Sequence, residues 1–298
     1  MEVEAEAQER PRDEDIMAHH QAVCQEGTCK SEFVGDKEPL SVLAAEYELG
    51  NPVFKAKIEQ LGKTYGAIRR TRGDGNCFFR SFMFAYLEHV LEAEDEREAA
   101  RVLQNVEQCR NALVSLGYAE FTFEDFLAIF VEQVENALPG KPTSMSIGTL
   151  VERCRDQYIS NYGMLGFTLL RHCHHHAGVV VIMFFRFVTS SEIRRRAEFF
   201  EPFILGISST TVDQFCKSSV EPMGEESDHV HIIALTDALG VPVRVVYLDR
   251  SICDNGKTTD VNHHDFIPGG ADAEEQRREN PHVVLLYRPG HYDILYRK

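Results

Sequence analysis

The chain has 298 residues, 43% of them hydrophobic, and its 47 acidic residues against 31 lysines and arginines give a formal net charge of −16. So large a negative charge argues against a general phosphate-binding surface, and therefore against nucleic acid as a partner. The longest apolar stretch, Ala177 to Phe185, is far shorter than the roughly 20 residues of a membrane-spanning helix, so no membrane association is expected.

The eight cysteines are scattered along the chain, without a CxxC pair or a framework of regular spacing. In a chain of this length, such a distribution is typical of reduced thiols inside the cell. The acidic N-terminus also lacks the apolar segment of a secretory signal peptide. The sequence therefore predicts a protein of the cytoplasm, with the nucleus as a second compartment.

The N-terminal residues 1–38 form an acidic arm with little apolar periodicity, which is predicted to be disordered. One ordered domain is expected over residues 39–298. It begins with a short helix over Ser41–Glu48, for which Ser41 is the candidate cap, and a second helix over Val53–Tyr65. The following residues 66–76 are predicted to be a loop.

The helix expected from Cys77 onward is apolar on nearly every side, which predicts a buried helix in the middle of the domain with Cys77 at its N-terminus. Apolar periodicity predicts further helices, the second of them with Thr122 as its candidate cap. These helices are Asp95–Leu116, Phe123–Leu138, Ile147–Tyr162, Val181–Phe203, Val212–Val220 and His229–Leu239.

The C-terminal quarter of the chain is rich in β-branched and aromatic residues, and it predicts strands over Val243–Leu248 and His282–Tyr287. Asp254–Gly256 is a candidate turn. After the Pro289-Gly290 turn, His291–Tyr296 is expected to pair as a further strand. Helices that precede a late sheet indicate an α+β fold.

Residues at opposite ends of the chain suggest a thiol-dependent site. Cys77 lies at a helix N-terminus, whose partial positive charge favours a thiolate. The preceding Asp74, Gly75 and Asn76 are flexible enough to turn their amides inward, so with Cys77 they form a candidate oxyanion loop. His291 and Asp293 are two residues apart on a predicted strand, so they share a face and Asp293 can orient the imidazole.

Each of these signals has an ordinary structural explanation. A single cysteine on an apolar helix is usually a small buried hydrophobic residue, and Asp-Gly-Asn is common in turns. The combination of the three side chains favours a cysteine hydrolase.

Two segments of the sequence resemble the otubains, a family within the ovarian-tumour (OTU) class of deubiquitinating cysteine proteases. They are Asp74–Phe82 and Leu285–Tyr296, and shorter similarities occur at Asp36–Leu40, Phe121–Phe126 and Glu221–His229. The similarity runs from about residue 34 to the end and is greatest to plant otubains. It implies a papain-like OTU fold, with a helical lobe packed against a mainly antiparallel sheet.

The resemblance also implies hydrolysis of the isopeptide bond between the ubiquitin C-terminus and a lysine, without metal or cofactor. By position, Cys77 matches the nucleophile, His291 the general base and Asp293 the orienting acid. Asp74 matches the acidic residue of the oxyanion loop, where we expect the backbone to matter more than the carboxylate.

The implied partners are ubiquitin and polyubiquitin chains, and the protein is expected to act as a monomer. Glu226, His229 and Tyr292 are candidate ubiquitin-binding residues, and by resemblance the segment Glu225–His231 lies near the path of the ubiquitin tail. On a helix, His229 and His231 point apart, so one is expected to face the core and the other the substrate channel. A second role is also open: a non-catalytic binder that sequesters ubiquitin or ubiquitin-conjugating enzymes.

One segment, residues 163–180, departs from the otubain pattern as an insertion. It contains the cluster His172–His176, but directly adjacent residues do not readily close a tetrahedral site, so no metal is expected there. The insertion must loop out between helices or destabilise the domain.

Overall fold

The computed structural model combines helices with one six-stranded sheet. It describes residues 31–47, 52–140, 143–155, 177–249, 261–269 and 280–298, the side chains of residues 177–180 excepted. The strands are β1 Val34–Pro39, β2 Tyr65–Thr71, β3 Val243–Tyr247, β4 His263–Phe266, β5 Val283–Arg288 and β6 His291–Arg297. The helices are α1 Ser41–Glu46, α2 Pro52–Thr64, α3 Cys77–Ala93, α4 Glu96–Ser115, α5 Glu124–Asn136, α6 Ile147–Arg155, α7 Ala177–Arg195, α8 Ala197–Ser208, α9 Val212–Phe215 and α10 His229–Leu239. The predicted α+β class is confirmed.

The sheet has the strand order β1-β2-β6-β5-β3-β4. Only β3 and β5 run parallel, and the other neighbouring strands are antiparallel, as predicted. The turn between β5 and β6 brings Arg288 opposite His291. This register places the C-terminal histidine at one end of the sheet.

The sheet is not entirely late in the chain, which corrects the sequence-based prediction. All of β1 except its last residue, Pro39, lies in the segment assigned to the disordered arm, and the compact unit of the structure begins at Glu32 instead of Pro39. β2 occupies most of the segment predicted as a loop, residues 66–76. The rest of the arm, residues 1–30, lies outside the described residues.

A buried arginine explains why β2 does not look like a strand in the sequence. Arg69 is only 4% exposed. Its guanidinium tolerates this burial because Nε donates to the Tyr296 hydroxyl at 2.8 Å and an Nη donates to Glu88 at 3.3 Å. The strand therefore buries a charged residue where an alternating pattern would have an apolar one. β4 was missed for a similar reason, since the His-His-Asp-Phe sequence of this edge strand is mostly polar.

Two predicted helix caps are wrong. Leu40, not Ser41, precedes the first turn of α1, and it makes no side-chain capping bond. Thr122 lies in a 3-10 turn, Glu120–Thr122, and α5 starts after Phe123. In both places the chain enters the helix from an adjoining element, so tertiary packing fixes the start.

α3 is the central helix, as predicted. Of its 17 residues 13 are buried, so water reaches almost none of its surface. It packs against β5, β6, α6 and α7, for example through Phe82, whose ring meets Phe185 edge-on at 5.4 Å. Loss of one such aromatic side chain typically costs about 3–5 kcal/mol, so the position of α3, and of Cys77 at its start, is strongly fixed.

The predicted helix Val181–Phe203 is two helices, α7 and α8, which meet at Arg196. Residues 177–180 of the expected insertion belong to α7, whereas residues 163–176, with the histidine cluster, lie outside the described residues. The candidate turn Asp254–Gly256 also lies outside them. No helix that the structure describes is long and apolar enough to cross a membrane.

Candidate active site

The first residue of α3 and the first residue of β6 meet, although more than two hundred residues separate them in the chain. Cys77 is 4% exposed, and its thiol lies beside the imidazole of His291, whose pKa it raises. α3 packs directly on β6, and this contact joins the two ends of the chain. The predicted pairing of cysteine and histidine is present in the structure.

Asp293 lies on the same face of β6 as His291, as the period of a strand requires. Its Oδ1 is 2.9 Å from Nε2 of His291 and accepts a hydrogen bond from the backbone amide of Thr71 at 3.0 Å. Its Oδ2 accepts from an Nη of Arg288 at 2.5 Å. These contacts hold the carboxylate, and through it the ring, in one orientation.

Neighbouring charges stabilise the ionised forms of both Asp293 and His291. Asp293 is fully buried, and although burial alone would raise its pKa, Arg288 and His291 hold that pKa below its usual range. Burial likewise opposes the charged form of His291, but Asp293 and Cys77 outweigh it and raise the pKa of His291 to about 10. At neutral pH the imidazole therefore carries a proton and can pair with a thiolate.

The orientation of the imidazole leaves one nitrogen for the sulfur. Nε2 contacts Asp293, so Nδ1 is the nitrogen available to Cys77. A Cβ atom added to Gly73 would lie 3.3 Å from Nδ1, so the absence of a side chain there leaves the ring room. The arrangement is that of a nucleophile, a proton carrier and an orienting acid in contact order.

The carboxylate of Asp74 organises the loop before Cys77. It accepts hydrogen bonds from the Arg80 guanidinium at 2.8 and 2.6 Å and from the Asn76 amide at 3.1 Å. The carboxylate therefore ties the loop to α3. That the backbone of Asp74 matters more to the reaction than this carboxylate stays a prediction.

Three amides of the predicted oxyanion loop remain available to a substrate. The Asn76 amide is occupied by the Asp74 carboxylate, whereas the amides of Asp74, Gly75 and Cys77 make no hydrogen bond to any residue that the structure describes. Of these three, the N–H groups of Gly75 and Cys77 flank the Asn76 amide, and we take them as the candidate oxyanion donors.

Gly75 is required by its surroundings. Its φ is +74°, and a Cβ atom there would lie 1.8 Å from the carbonyl oxygen of Gly224. No side chain fits at that distance, so the loop can approach the Gly224 segment only with glycine at this position.

Three residues of the site were missed at the sequence level: Thr71, Arg288 and Arg186. Thr71 and Arg288 hold Asp293, as described above, and Arg186 contacts the oxyanion loop from α7. Arg288 lies in the segment with otubain resemblance, which is the one signal that was available for it. Thr71 and Arg186 bind partners more than a hundred residues away in the sequence, whereas the partner of Arg288 is only five residues away.

The candidate ubiquitin-binding residues occupy different environments. Glu226 is exposed beside the β5–β6 turn, where its carboxylate would lie 3.4 Å from a Cβ on Gly290. His229 is exposed and its Nε2 lies 2.8 Å from the Tyr247 hydroxyl. Tyr292 is only 5% exposed, so it offers a partner little surface.

The two histidines of α10 separate as predicted, with His231 in the core. His231 is 1% exposed, and its Nδ1 lies 2.9 Å from the Asp228 carboxylate. That the exposed His229 faces a substrate channel stays a prediction. Within the described ranges, no three His, Cys, Asp or Glu side chains are arranged to hold a metal ion.

Comparisons with known proteins agree with this geometry. A family model described as Peptidase C65 Otubain matches residues 26–297. OVARIAN TUMOR DOMAIN-containing deubiquitinating enzyme 1 of Arabidopsis thaliana is 58% identical over 275 residues, which cover 92% of this chain and 84% of that protein. Ubiquitin thioesterase OTUB1 of Homo sapiens is 39% identical over 285 residues, or 96% of this chain and 90% of that protein.

A solved structure of h/ceOTUB1 with ubiquitin aldehyde and UBC13~Ub is similar in fold, with a TM-score of 0.74 and 31% identity over 96% of this chain and 98% of that chain. A second, with UBCH5B~Ub, gives a TM-score of 0.72 at the same identity and coverage. The match of nearly the whole chain, with the thiol and imidazole in contact, leads to one conclusion: the protein is an otubain, a member of the C65 family of cysteine peptidases.

Proposed function

We propose that this otubain is a deubiquitinase, which hydrolyses the isopeptide bond between the C-terminus of ubiquitin and a lysine of a substrate or of another ubiquitin. The observation that carries this proposal is the contact sequence Cys77–His291–Asp293. The names of two relatives, deubiquitinating enzyme and ubiquitin thioesterase, support the choice of substrate.

The geometry supports a two-step thiol mechanism. The Cys77 sulfur, its proton held by His291, attacks the carbonyl carbon of the last glycine of ubiquitin. The amides of Gly75 and Cys77 stabilise the oxyanion, and His291 returns the proton to the leaving lysine amine as the C–N bond breaks. Water, deprotonated by His291, then attacks the thioester and releases the ubiquitin carboxylate and the thiol.

An exposed apolar face on α8 supports a macromolecular substrate. Phe199, Phe203 and Ile207 follow one another at four-residue spacing on this helix, and they are 43%, 50% and 57% exposed. A contiguous apolar stripe of this kind normally contacts a partner. We propose that ubiquitin covers it, so Phe203→Ser should weaken substrate binding and raise KM, with kcat little changed.

The decisive experiment compares Cys77→Ser with the parent on a panel of di-ubiquitin linkages. We expect Cys77→Ser to abolish cleavage of every linkage while it still binds ubiquitin. Cys109→Ser is the matched control, because burial raises the pKa of the Cys109 thiol to about 12 and leaves it unreactive. Cleavage by Cys77→Ser at the parental rate would refute the assignment of the nucleophile.

The second candidate function is sequestration of ubiquitin-conjugating enzymes. It is favoured by the two similar structures, whose complexes contain UBC13~Ub and UBCH5B~Ub. If this chain has that role, Cys77→Ser will still inhibit ubiquitin transfer from a charged conjugating enzyme in a discharge assay. If inhibition requires the thiol, catalysis alone accounts for the activity.

We further propose that the protein acts as a monomer in the cytoplasm and nucleus. The scattered positions of its cysteines in the sequence, without a CxxC pair, support a reducing compartment. Light scattering of the purified chain and imaging of a tagged copy test these two points.

A further inference from the structure

A buried arginine on α7 joins two loops at the candidate active site. Arg186 is 0% exposed, and its guanidinium donates to the carbonyl oxygens of Val220, Glu225 and Gly75 at 2.9, 2.8 and 3.1 Å. It also donates to Oδ1 of Asn76 at 2.8 Å. Two of these acceptors belong to the oxyanion loop and two to the segment that follows α9.

The Asn76 side chain is the point where the two loops meet. Its Oδ1 accepts from Arg186 and also from the backbone amide of Gly224 at 3.0 Å. Gly75 lies against Gly224 in the same place, at a distance that excludes a side chain. The loops are therefore fixed to each other both by close backbone contact and by hydrogen bonds to one guanidinium.

The peptide group between Gly75 and Asn76 is held at both of its ends. Arg186 binds its carbonyl oxygen, and the Asp74 carboxylate accepts from its N–H. Because a peptide group is planar, these two bonds fix its rotation. This peptide lies between the amides of Gly75 and Cys77, so its orientation decides where those two N–H groups point.

The charge of Arg186 persists in its buried position. Burial lowers the pKa of Arg186 to about 10, while Glu225, Asp74 and Cys77 favour the protonated form. The side chain is therefore a cation at neutral pH. Its plane also lies over the Phe79 ring, 4.8 Å from the centroid, which favours a guanidinium over an ammonium.

We propose that Arg186 is a positioning residue, which orients the Gly75 and Cys77 amides toward the reacting carbonyl through its hydrogen bonds to the Gly75 carbonyl and the Asn76 side chain. This inference rests on the proposed peptidase function. It assigns to α7 a role in stabilising the oxyanion, a state that exists only after the thiol has attacked.

The test separates oxyanion stabilisation from substrate binding by means of two ligands. Ubiquitin aldehyde adds the Cys77 thiol across its carbonyl and forms a hemithioacetal, whose oxygen occupies the oxyanion position. Free ubiquitin, the product, forms no such group. We expect Arg186→Lys to weaken ubiquitin aldehyde binding and to lower kcat for di-ubiquitin, each by about 100-fold. The Kd of free ubiquitin and KM should change by less than about threefold.

Arg69→Lys is the matched control, because Arg69 is also a buried arginine with carbonyl and side-chain acceptors. Arg69→Lys should lower thermal stability, while the ratio of the Kd of free ubiquitin to the Kd of ubiquitin aldehyde stays at the parental level. If Arg186→Lys does not fold, Asn76→Ala removes the shared acceptor from the loop side and should give the same change in ratio.

Equal loss of both affinities in a folded Arg186 or Asn76 variant, or an unchanged kcat, would overturn the positioning role. Failure of the proposed function is distinguishable, because then the parent chain itself would neither cleave di-ubiquitin nor bind ubiquitin aldehyde more tightly than free ubiquitin.

Discussion

Arg80 binds both carboxylate oxygens of Asp74, at 2.8 and 2.6 Å, from a position one turn beyond Cys77 on the same helix. The guanidinium also donates to the carbonyl of Arg72 at 2.8 Å. A largely buried ion pair thus joins the loop before Cys77 to the first turn of α3. Because Cys77 begins α3, this ion pair also fixes the distance from its sulfur to the loop amides.

The first prediction concerns this ion pair. Asp74→Asn keeps the shape of the side chain but removes its charge, so we expect kcat for di-ubiquitin to fall by about tenfold as the loop loosens. Asp265→Asn is the control, because Asp265 has the same two-bond geometry with Arg244, both at 2.6 Å, on the β3–β4 pair. Equal kinetic effects of the two variants would show that Asp74 acts only through general stability.

The second prediction compares two glycines with positive φ. Gly75→Ala should abolish cleavage, because its Cβ would collide with the Gly224 carbonyl and displace the loop. Gly117 has a φ of +88°, but nothing lies within 4 Å of the position of its Cβ. Gly117→Ala should therefore cost about 1 kcal/mol of stability, with normal kcat. Activity assays and urea denaturation measure both effects, and an active Gly75→Ala would contradict the predicted loop geometry.

The third prediction is a pH profile. The protonated imidazole supplies the proton for the leaving amine, so kcat/KM of the parent should decline at alkaline pH with an apparent pKa of about 10, that of His291. Asp293→Asn removes the carboxylate that raises this pKa. The alkaline decline should then move toward ~6.5, the ordinary value for histidine, and kcat should fall by about 10²–10⁴-fold. An unmoved alkaline limb would disprove the coupling between these residues.

The fourth prediction concerns acid stability, away from the site. His89 on α3 stacks on His282, with ring centroids 3.9 Å apart, and burial together with His282 lowers the pKa of His89 to about 4. A histidine with a lowered folded-state pKa binds fewer protons than in the unfolded chain. Its contribution to stability is therefore present above ~6.5 and is lost as the pH falls from ~6.5 toward 4.

The measurement is the free energy of unfolding at several pH values in that window. His89→Gln should lose less stability on acidification than the parent, by on the order of 1 kcal/mol after allowance for the partial exposure of the ring. His264→Gln, at an exposed histidine on β4, should follow the parent curve. Parallel curves for the parent and His89→Gln would refute this prediction.

The sequence predicts those features of this protein that depend on residues close to one another in the chain. The central helix, the position of Cys77 at its start and the shared face of His291 and Asp293 were all predicted correctly. Each depends only on local periodicity, which side chains within a few residues determine. The otubain resemblance supplied the catalytic chemistry that periodicity alone could not.

Only the tertiary structure decided the rest. β2 becomes a strand because β1 and β6 pair with both of its edges and because Glu88 and Tyr296 satisfy Arg69. Arg186 becomes part of the site because α7 carries it to acceptors more than thirty residues away on either side. A buried charge is stable only where distant groups satisfy it, and no local pattern along the chain records which groups those are.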